Sequence, residues 1–210
     1  MDFRRLVELT APLHCFSAGM LAAGENLDHL RVQLSRWAAA DRLVRIHAGW
    51  YTLAEPYRKV HIDMHVIACT IKQGTYVSLQ SALSYHGMIP EYVPVTTCIT
   101  TGRPTVIETP FGRIQYRHMK RSGFFGYHQI DGGSQPSFLA APEKALLDLL
   151  YLTPGSESLP FLSELRLQQT ETLDLATMRT MAARLGAPRL TRSADLLAQL
   201  LHRQEGEVLE

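Results

Sequence analysis

The sequence has few cysteines, and none of them is spaced for metal binding or for a disulfide framework. They are Cys15, Cys69 and Cys98, an odd number with long separations and no Cys-x-x-Cys pair. This pattern supports neither a zinc ribbon nor a small disulfide-stabilised fold. A reducing, cytoplasmic compartment fits these cysteines best.

The chain also lacks a strong charge of one sign and any long apolar run. Its 210 residues carry a formal net charge of +1, which excludes a uniformly basic nucleic-acid coat protein. The segment from Met1 to Arg5 has no apolar core of the kind found in signal peptides, and no apolar run is long enough for a transmembrane helix. We therefore expect a cytoplasmic protein with no membrane partner, whose affinity for DNA would come from a local basic face.

Motifs for catalysis and cofactor binding are missing as well, including both common Gly-rich phosphate-binding loops. His61 and His65 are spaced so that a helix could let them share a metal, but no further ligand accompanies them. Two other combinations resemble active sites: Glu143-Lys144 with Asp148, and Ser84 with His86 and Glu91. Adjacent residues point in different directions on a helix, and the glycine after His86 indicates a helix end. We expect no catalytic activity, no metal and no cofactor.

What the sequence does contain is an ordered series of helix and strand signals near its start. Ser17 can cap a short helix, and the apolar residues of the next helix recur at spacings of three and four. The predicted elements are a short helix over 16–22, a turn over 23–26, a helix from 27 to about 41, and strands over 43–47 and 50–53. This order is typical of a winged helix-turn-helix, which places its second helix in the DNA major groove.

The second predicted helix leaves polar side chains opposite its apolar stripe. Arg and Gln side chains can make paired hydrogen bonds to base edges, and basic residues of the hairpin can contact the DNA backbone or minor groove. The predicted DNA-binding residues are His29, Arg31, Gln33, Ser35, Arg36, Arg42, Arg45 and His47. Asp28 would be repelled by phosphate and is assigned to helix capping. The alternatives are a merely solvated helix face and a protein-binding domain.

The remainder of the chain predicts an α+β protein with two domains. The segment Ala54–Tyr57 interrupts the pattern and separates a winged helix-turn-helix domain at 1–57 from a mixed α/β domain at 58–210. In the second domain we expect a helix over 60–71, a small sheet at about 95–130, and helices within 142–205 that include a helical C-terminal tail. Ser78 could follow a short strand or cap the helix that ends before Gly87.

One stretch of the predicted sheet is rich in basic residues. Between positions 103 and 121 the basic residues are Arg103, Arg113, Arg117, Lys120 and Arg121, against the single acid Glu108. Such a face could meet DNA phosphates, RNA or an acidic partner. It could equally be the solvated outer face of a half-buried hairpin. Both interpretations remain open on the sequence alone.

Several blocks of the sequence together resemble the AbiEi family of antitoxins from type IV toxin–antitoxin systems. The blocks are LVRIHAGWY at 43–51, YVSLQSALSYHG at 76–87, TPFG at 109–112, FFGY at 124–127 and APEKALLDL at 141–149. The resemblance extends from about residue 15 to residue 152 and depends on the blocks as an ordered set.

The resemblance implies a bacterial two-domain protein that represses its own operon by binding inverted repeats in double-stranded DNA, where two copies would form a homodimer. It also implies that the second domain opposes a nucleotidyltransferase-like toxin, without a stable complex, in an abortive-infection defence against phage. The alternative is a winged-helix protein-interaction or nuclease accessory module without sequence-specific DNA readout.

Overall fold

The computed structural model describes residues 1–131 and 133–208. The first elements are α1 (Phe3–Thr10), β1 (Phe16–Ser17), α2 (Ala18–Leu21), α3 (Leu27–Ala39), β2 (Leu43–His47) and β3 (Trp50–Leu53). Their strands form an antiparallel sheet in the order β1-β3-β2. The predicted helix from 27 and the predicted strands over 43–47 and 50–53 are confirmed. The predicted helix over 16–22 is partly wrong, because Phe16 and Ser17 form a strand that pairs with β3 and only Ala18–Leu21 is helical.

Local signals explain where these elements begin and turn. Asn26 caps α3, because its Oδ1 accepts hydrogen bonds from the backbone N–H groups of Asp28 at 3.0 Å and His29 at 3.1 Å. The predicted capping by Asp28 is therefore wrong. Ser17 occupies the N-cap position of α2, but its side chain makes no capping hydrogen bond. Gly49 has a φ of +77° in the turn between β2 and β3, a conformation that glycine adopts without strain.

The next part of the chain forms a six-stranded mixed sheet. Its elements are α4 (Met64–Ile71), β4 (Thr75–Val77), α5 (Leu79–Tyr85), β5 (Val95–Thr100), β6 (Thr105–Thr109), β7 (Gly112–His118), β8 (Tyr127–Ile130) and β9 (Ser137–Ala140). The strand order is β6-β7-β5-β4-β9-β8, with β5 parallel to β7 and β4 parallel to β9. The sheet spans residues 75–140 instead of the predicted 95–130. The short strands β4 and β9 are mostly buried, so they lack the alternation that reveals a strand.

Four α-helices and a short 3-10 helix (Thr170–Thr172) complete the described chain. The α-helices are α6 (Pro142–Leu152), α7 (Leu159–Glu164), α8 (Leu175–Leu185) and α9 (Pro188–Val208). Pro142 stands in the first turn of α6, where its missing N–H costs no helical hydrogen bond. The short helix α7 has only six residues and was not predicted from the sequence. Across the described residues, no helix is both long enough and apolar enough to cross a bilayer.

The buried apolar side chains form a small group around α1, α3 and the hairpin, and a larger group around the six-stranded sheet. Leu30 and Leu34 of α3 are fully buried in the small group. Ile46 of β2 and Cys15 belong to the larger group. A bulge between Arg45 and His47 interrupts the pairing of β2 with β3 at Ile46. The hairpin therefore contributes to both groups.

Candidate functional site

The outer face of α3 carries several of the predicted DNA-binding residues. His29, Ser35 and Arg36 are exposed, and Val32 between them is 47% exposed. Arg31 lies at the edge of this face, where its guanidinium pairs with the Asp28 carboxylate at 2.9 Å. Both partners of that pair are exposed, so a phosphate could compete for the guanidinium at little cost. The face therefore offers hydrogen-bond donors and an accessible positive charge.

Gln33 does not belong to this face, and its predicted contact with DNA conflicts with its position. Its side chain is half-buried, and its Nε2 donates a hydrogen bond to the Met1 carbonyl oxygen at 3.1 Å. Among the described residues, its buried Oε1 has no hydrogen-bond partner. On the helical wheel Gln33 lies beside the buried stripe, which explains why it packs against the start of the chain.

The hairpin places two more predicted residues in solvent near its turn. Arg45 and His47 are exposed, whereas Ile46 between them, at the bulge, is buried. A groove of about 310 Å³ lies between Arg31 of α3 and the turn formed by Ala48 and Gly49. The turn of the hairpin and the edge of the α3 face are therefore neighbours.

Arg42 lies at the opposite end of the hairpin from these residues. Its guanidinium carbon stands 5.0 Å from the centre of the Phe3 ring of α1, a cation–π contact that holds the side chain against the first helix. His47 lies five positions further along the extended strand, which corresponds to about 16 Å. Arg42 is exposed but does not extend the face formed by α3 and the hairpin turn.

The basic stretch at 103–121 is divided by its contacts into separate parts. Arg113 pairs with Glu108 at 2.6 Å on the surface. Arg117 donates a hydrogen bond to the Leu152 carbonyl oxygen at 2.6 Å, and Lys120 lies over the Tyr151 ring at 5.9 Å. The other members, Arg103 and Arg121, are exposed. Arg117 thus completes the C-terminal end of α6, a structural role that the sequence did not indicate.

A buried polar centre lies between α6 and the six-stranded sheet. Lys144 and Asp148 form an ion pair one helical turn apart, and both are fully buried. The hydroxyl of Tyr76 donates to Asp148 Oδ2 at 2.9 Å, and the hydroxyl of Ser78 donates to the same oxygen at 2.8 Å. Lys144 Nζ also donates to the Tyr76 hydroxyl oxygen at 2.9 Å.

Burial is the largest cause of the pKa shifts of the residues in this centre. It lowers the pKa of Lys144 and raises that of Asp148, while the attraction between the two charges acts in the opposite direction on each. Burial and the neighbouring Asp148 carboxylate also raise the pKa of Tyr76. The centre is enclosed, and its donors and acceptors bond to one another.

Three blocks of the family resemblance meet at this centre. Tyr76 and Ser78 come from the block at 76–87, and Lys144 and Asp148 from the block at 141–149. The block at 124–127 covers them: the Phe125 ring centre is 5.1 Å from Lys144 Nζ, and the rings of Tyr127 and Tyr76 stack at 4.5 Å. In the sequence, Glu143-Lys144 with Asp148 resembled an active site. The spacing of four residues between Lys144 and Asp148 on an apolar helix is the signal that indicates an ion pair.

The histidine arrangement considered for metal binding is not helical. Helix α4 begins at Met64, so His61 precedes it and the predicted helix over 60–71 is too long at its start. Asp63 caps α4 through the backbone N–H of His65 at 2.8 Å. His86 ends α5, and its Nε2 lies 2.9 Å from the Ala140 carbonyl oxygen. In the part of the chain that the structure describes, no group of three or more ligating side chains could hold a metal.

Comparison of the chain with models of known protein families found no match, and no curated protein matches it either.

Proposed function

We propose that this chain is a cytoplasmic, DNA-binding autorepressor whose N-terminal winged helix-turn-helix reads inverted repeats, and that it acts as the antitoxin of a type IV toxin–antitoxin system. It would have no catalytic activity of its own. Its α3 would enter the major groove, and the turn between β2 and β3 would contact the adjacent backbone or minor groove.

The observation that carries this proposal is the exposed face of α3 beside the hairpin turn. Arg36, Ser35 and His29 can contact base edges or phosphates from one helix face. Arg31 lies beside the hairpin turn, and Arg45 and His47 belong to the hairpin. All three side chains can bind phosphate. We assign Gln33 and Arg42 to packing, because Met1 and Phe3 engage their side chains.

The charge balance supports binding as a dimer on two half-sites. Residues 1–59 contain eight Lys and Arg against six Asp and Glu, so one copy has little long-range attraction for DNA. Two copies on an inverted repeat would add their contacts, with half-sites about one helical turn apart.

The antitoxin part of the proposal is supported by the family resemblance. Its blocks at 76–87, 124–127 and 141–149 contribute to one buried centre, as expected of positions that define a common domain. A nucleotidyltransferase-like toxin encoded nearby would be the functional partner, opposed without a stable complex.

The DNA-binding proposal predicts specific binding to the region upstream of the gene. Fluorescence anisotropy should give tighter binding to this DNA than to a scrambled sequence, with a linear dependence of log affinity on log salt. Arg36→Ala should weaken specific binding by about 1–3 kcal/mol if Arg36 reads a base. The matched control is Arg4→Ala, which removes an exposed arginine of α1 that pairs with Glu8.

The outcomes of this binding experiment distinguish a sequence-specific autorepressor from a winged-helix module without sequence-specific DNA readout. Equal binding to both DNAs would indicate phosphate attraction without readout. Absence of binding at low salt would reject the autorepressor. It would favour a protein-interaction module, for which the exposed Val32 on α3 would be a natural contact.

The antitoxin proposal predicts rescue of growth when the chain is co-expressed with a neighbouring nucleotidyltransferase-like toxin. Arg36→Ala should weaken repression but keep the rescue, because Arg36 lies on the small N-terminal part and far from the buried centre in sequence. Failure of the wild-type chain to rescue growth, with the protein folded and expressed, would reject the antitoxin role and leave the repressor role intact.

A further inference from the structure

A partly enclosed cavity of about 390 Å³ lies between the N-terminal elements and the six-stranded sheet. Its apolar lining comes from both sides: Leu13, Met20 and Trp50 from the N-terminal elements, and Cys69, Pro136 and Phe138 from α4 and the β9 segment. Met20 is 47% exposed, so the cavity opens to the surface. Its volume falls within the range of small-molecule sites, which is about 300–1,000 Å³.

Hydrogen bonds of the chain hold the two sides of the cavity in place. Gln135 is buried, and its Oε1 accepts from the backbone N–H groups of His14 at 2.7 Å and Cys15 at 3.2 Å. The Cys69 thiol donates to the Phe138 carbonyl oxygen at 3.8 Å, which connects α4 to β9. Because these contacts join residues of the chain itself, the cavity is preformed, and binding would cost little in ordering its walls.

The side chains of the lining define the chemistry of a ligand. Trp50 and Phe138 supply aromatic surface, and none of the described residues that line the cavity is charged. An ionised ligand would lose hydration there with no opposite charge to replace it. Gln73 and Ser134 are polar, exposed members of the lining, so they can form hydrogen bonds with a polar group at the entrance. The lining therefore favours a neutral aromatic molecule.

We propose that this cavity is a binding site for a neutral aromatic molecule that carries a single hydroxyl or amide group. The ring system packs against Trp50 and Phe138, and the polar group meets Gln73 and Ser134 at the entrance. Trp50 belongs to β3 of the hairpin and Phe138 to β9 of the six-stranded sheet. The bound molecule thereby stabilises the packing of the hairpin on that sheet.

Two-dimensional ¹H–¹⁵N NMR of the full chain with 2-naphthol tests this site. Of the two tryptophans in the sequence, Trp50 lines the cavity, whereas Trp37 of α3 packs edge-on against the Phe3 ring at 5.5 Å. Saturable binding of 2-naphthol should shift the indole N–H signal of Trp50 and leave that of Trp37 in place. Trp50→Phe assigns the two signals. The anion 2-naphthoate, which has the same rings, should bind at least about tenfold more weakly.

Two variants locate the binding in the cavity. Ser134→Phe places a large side chain at the entrance and should weaken binding of 2-naphthol at least about tenfold. Its matched control is Ser163→Phe, which changes an exposed serine of α7 outside the lining and should bind like the wild type. Met20→Ala removes part of the apolar wall and should weaken binding by about threefold to tenfold. Circular dichroism would confirm that each variant is folded.

Thermal unfolding of the wild type checks the proposal without any variant. Because 2-naphthol binds the folded chain, Tm should rise with its concentration. An unchanged Trp50 signal up to the solubility limit of 2-naphthol, equal shifts of both indole signals, or binding unaffected by Ser134→Phe would overturn the proposal. These measurements are made without DNA, so their failure would not affect the proposed function.

Discussion

At the scale of single residues, burial decides how much a charged side chain contributes to stability. Lys144 and Asp148 are fully buried, and the partners of Asp148 include the hydroxyls of Tyr76 and Ser78. Removing one charge from such a pair leaves the other without compensation in a medium of low dielectric constant. By contrast, Arg179 and Asp195 pair at 2.9 Å with both side chains about half exposed.

Asp148→Ala should therefore destabilise the protein by about 3–5 kcal/mol, as measured by urea denaturation. The double variant Lys144→Met with Asp148→Leu should be more stable than this single variant, because no unpaired charge remains. The control Asp195→Ala should cost less than about 1 kcal/mol. A loss at Asp148 no larger than that at Asp195 would show that the buried pair is not important for stability.

At the scale of secondary-structure elements, the C-terminal end of α6 depends on arginines from other elements. Arg117 of β7 donates to the Leu152 carbonyl oxygen at 2.6 Å, and Arg189 of α9 donates to that of Tyr151. Positive charge at this end of a helix is favourable, because the last carbonyl groups lack partners within the helix. Helix α6 is thereby connected to a strand and to the last helix.

Arg117→Ala should lower the free energy of unfolding by about 1–2 kcal/mol, since a charge-assisted hydrogen bond to α6 is lost. Arg113→Ala, on the same strand, should cost less than about 1 kcal/mol, because its pair with Glu108 is exposed. Both variants should be tested for unfolding and for DNA affinity across a salt series. A smaller salt dependence for Arg113→Ala would show that this arginine contacts phosphate.

At the scale of the whole molecule, Gln135 connects the N-terminal segment to the larger core. Its Oε1 accepts hydrogen bonds from the backbone N–H groups of His14 at 2.7 Å and Cys15 at 3.2 Å. Its Nε2 donates to the Cys15 carbonyl oxygen at 2.8 Å. Gln135 is buried, so it satisfies backbone groups that water reaches poorly.

Gln135→Ala should reduce stability by about 1–3 kcal/mol, because these backbone groups lose their partner. Calorimetry should also show a broader unfolding transition, as the coupling between the two groups of buried side chains weakens. The control is Gln129→Ala, which changes an exposed glutamine of β8. An unchanged, equally sharp transition for Gln135→Ala would mean that other contacts hold the two parts together.

Local sequence patterns were sufficient for α3, β2 and β3. The apolar spacing of Leu30 and Leu34 determined the buried side of α3, and Gly49 marked the turn of the hairpin. Such signals work because helical periodicity and backbone preference act over a few residues. They were less informative for β4 and β9, whose uniformly apolar surroundings leave no alternation to read.

The contacts between distant residues were decided only by tertiary structure. The sequence could not show that Tyr76 reaches Asp148 or that Gln33 turns towards Met1. Periodicity specifies which side of an element is buried, but not which other element covers it. That choice depends on how all the elements pack at once, because each buried polar group must find its partner in the final arrangement.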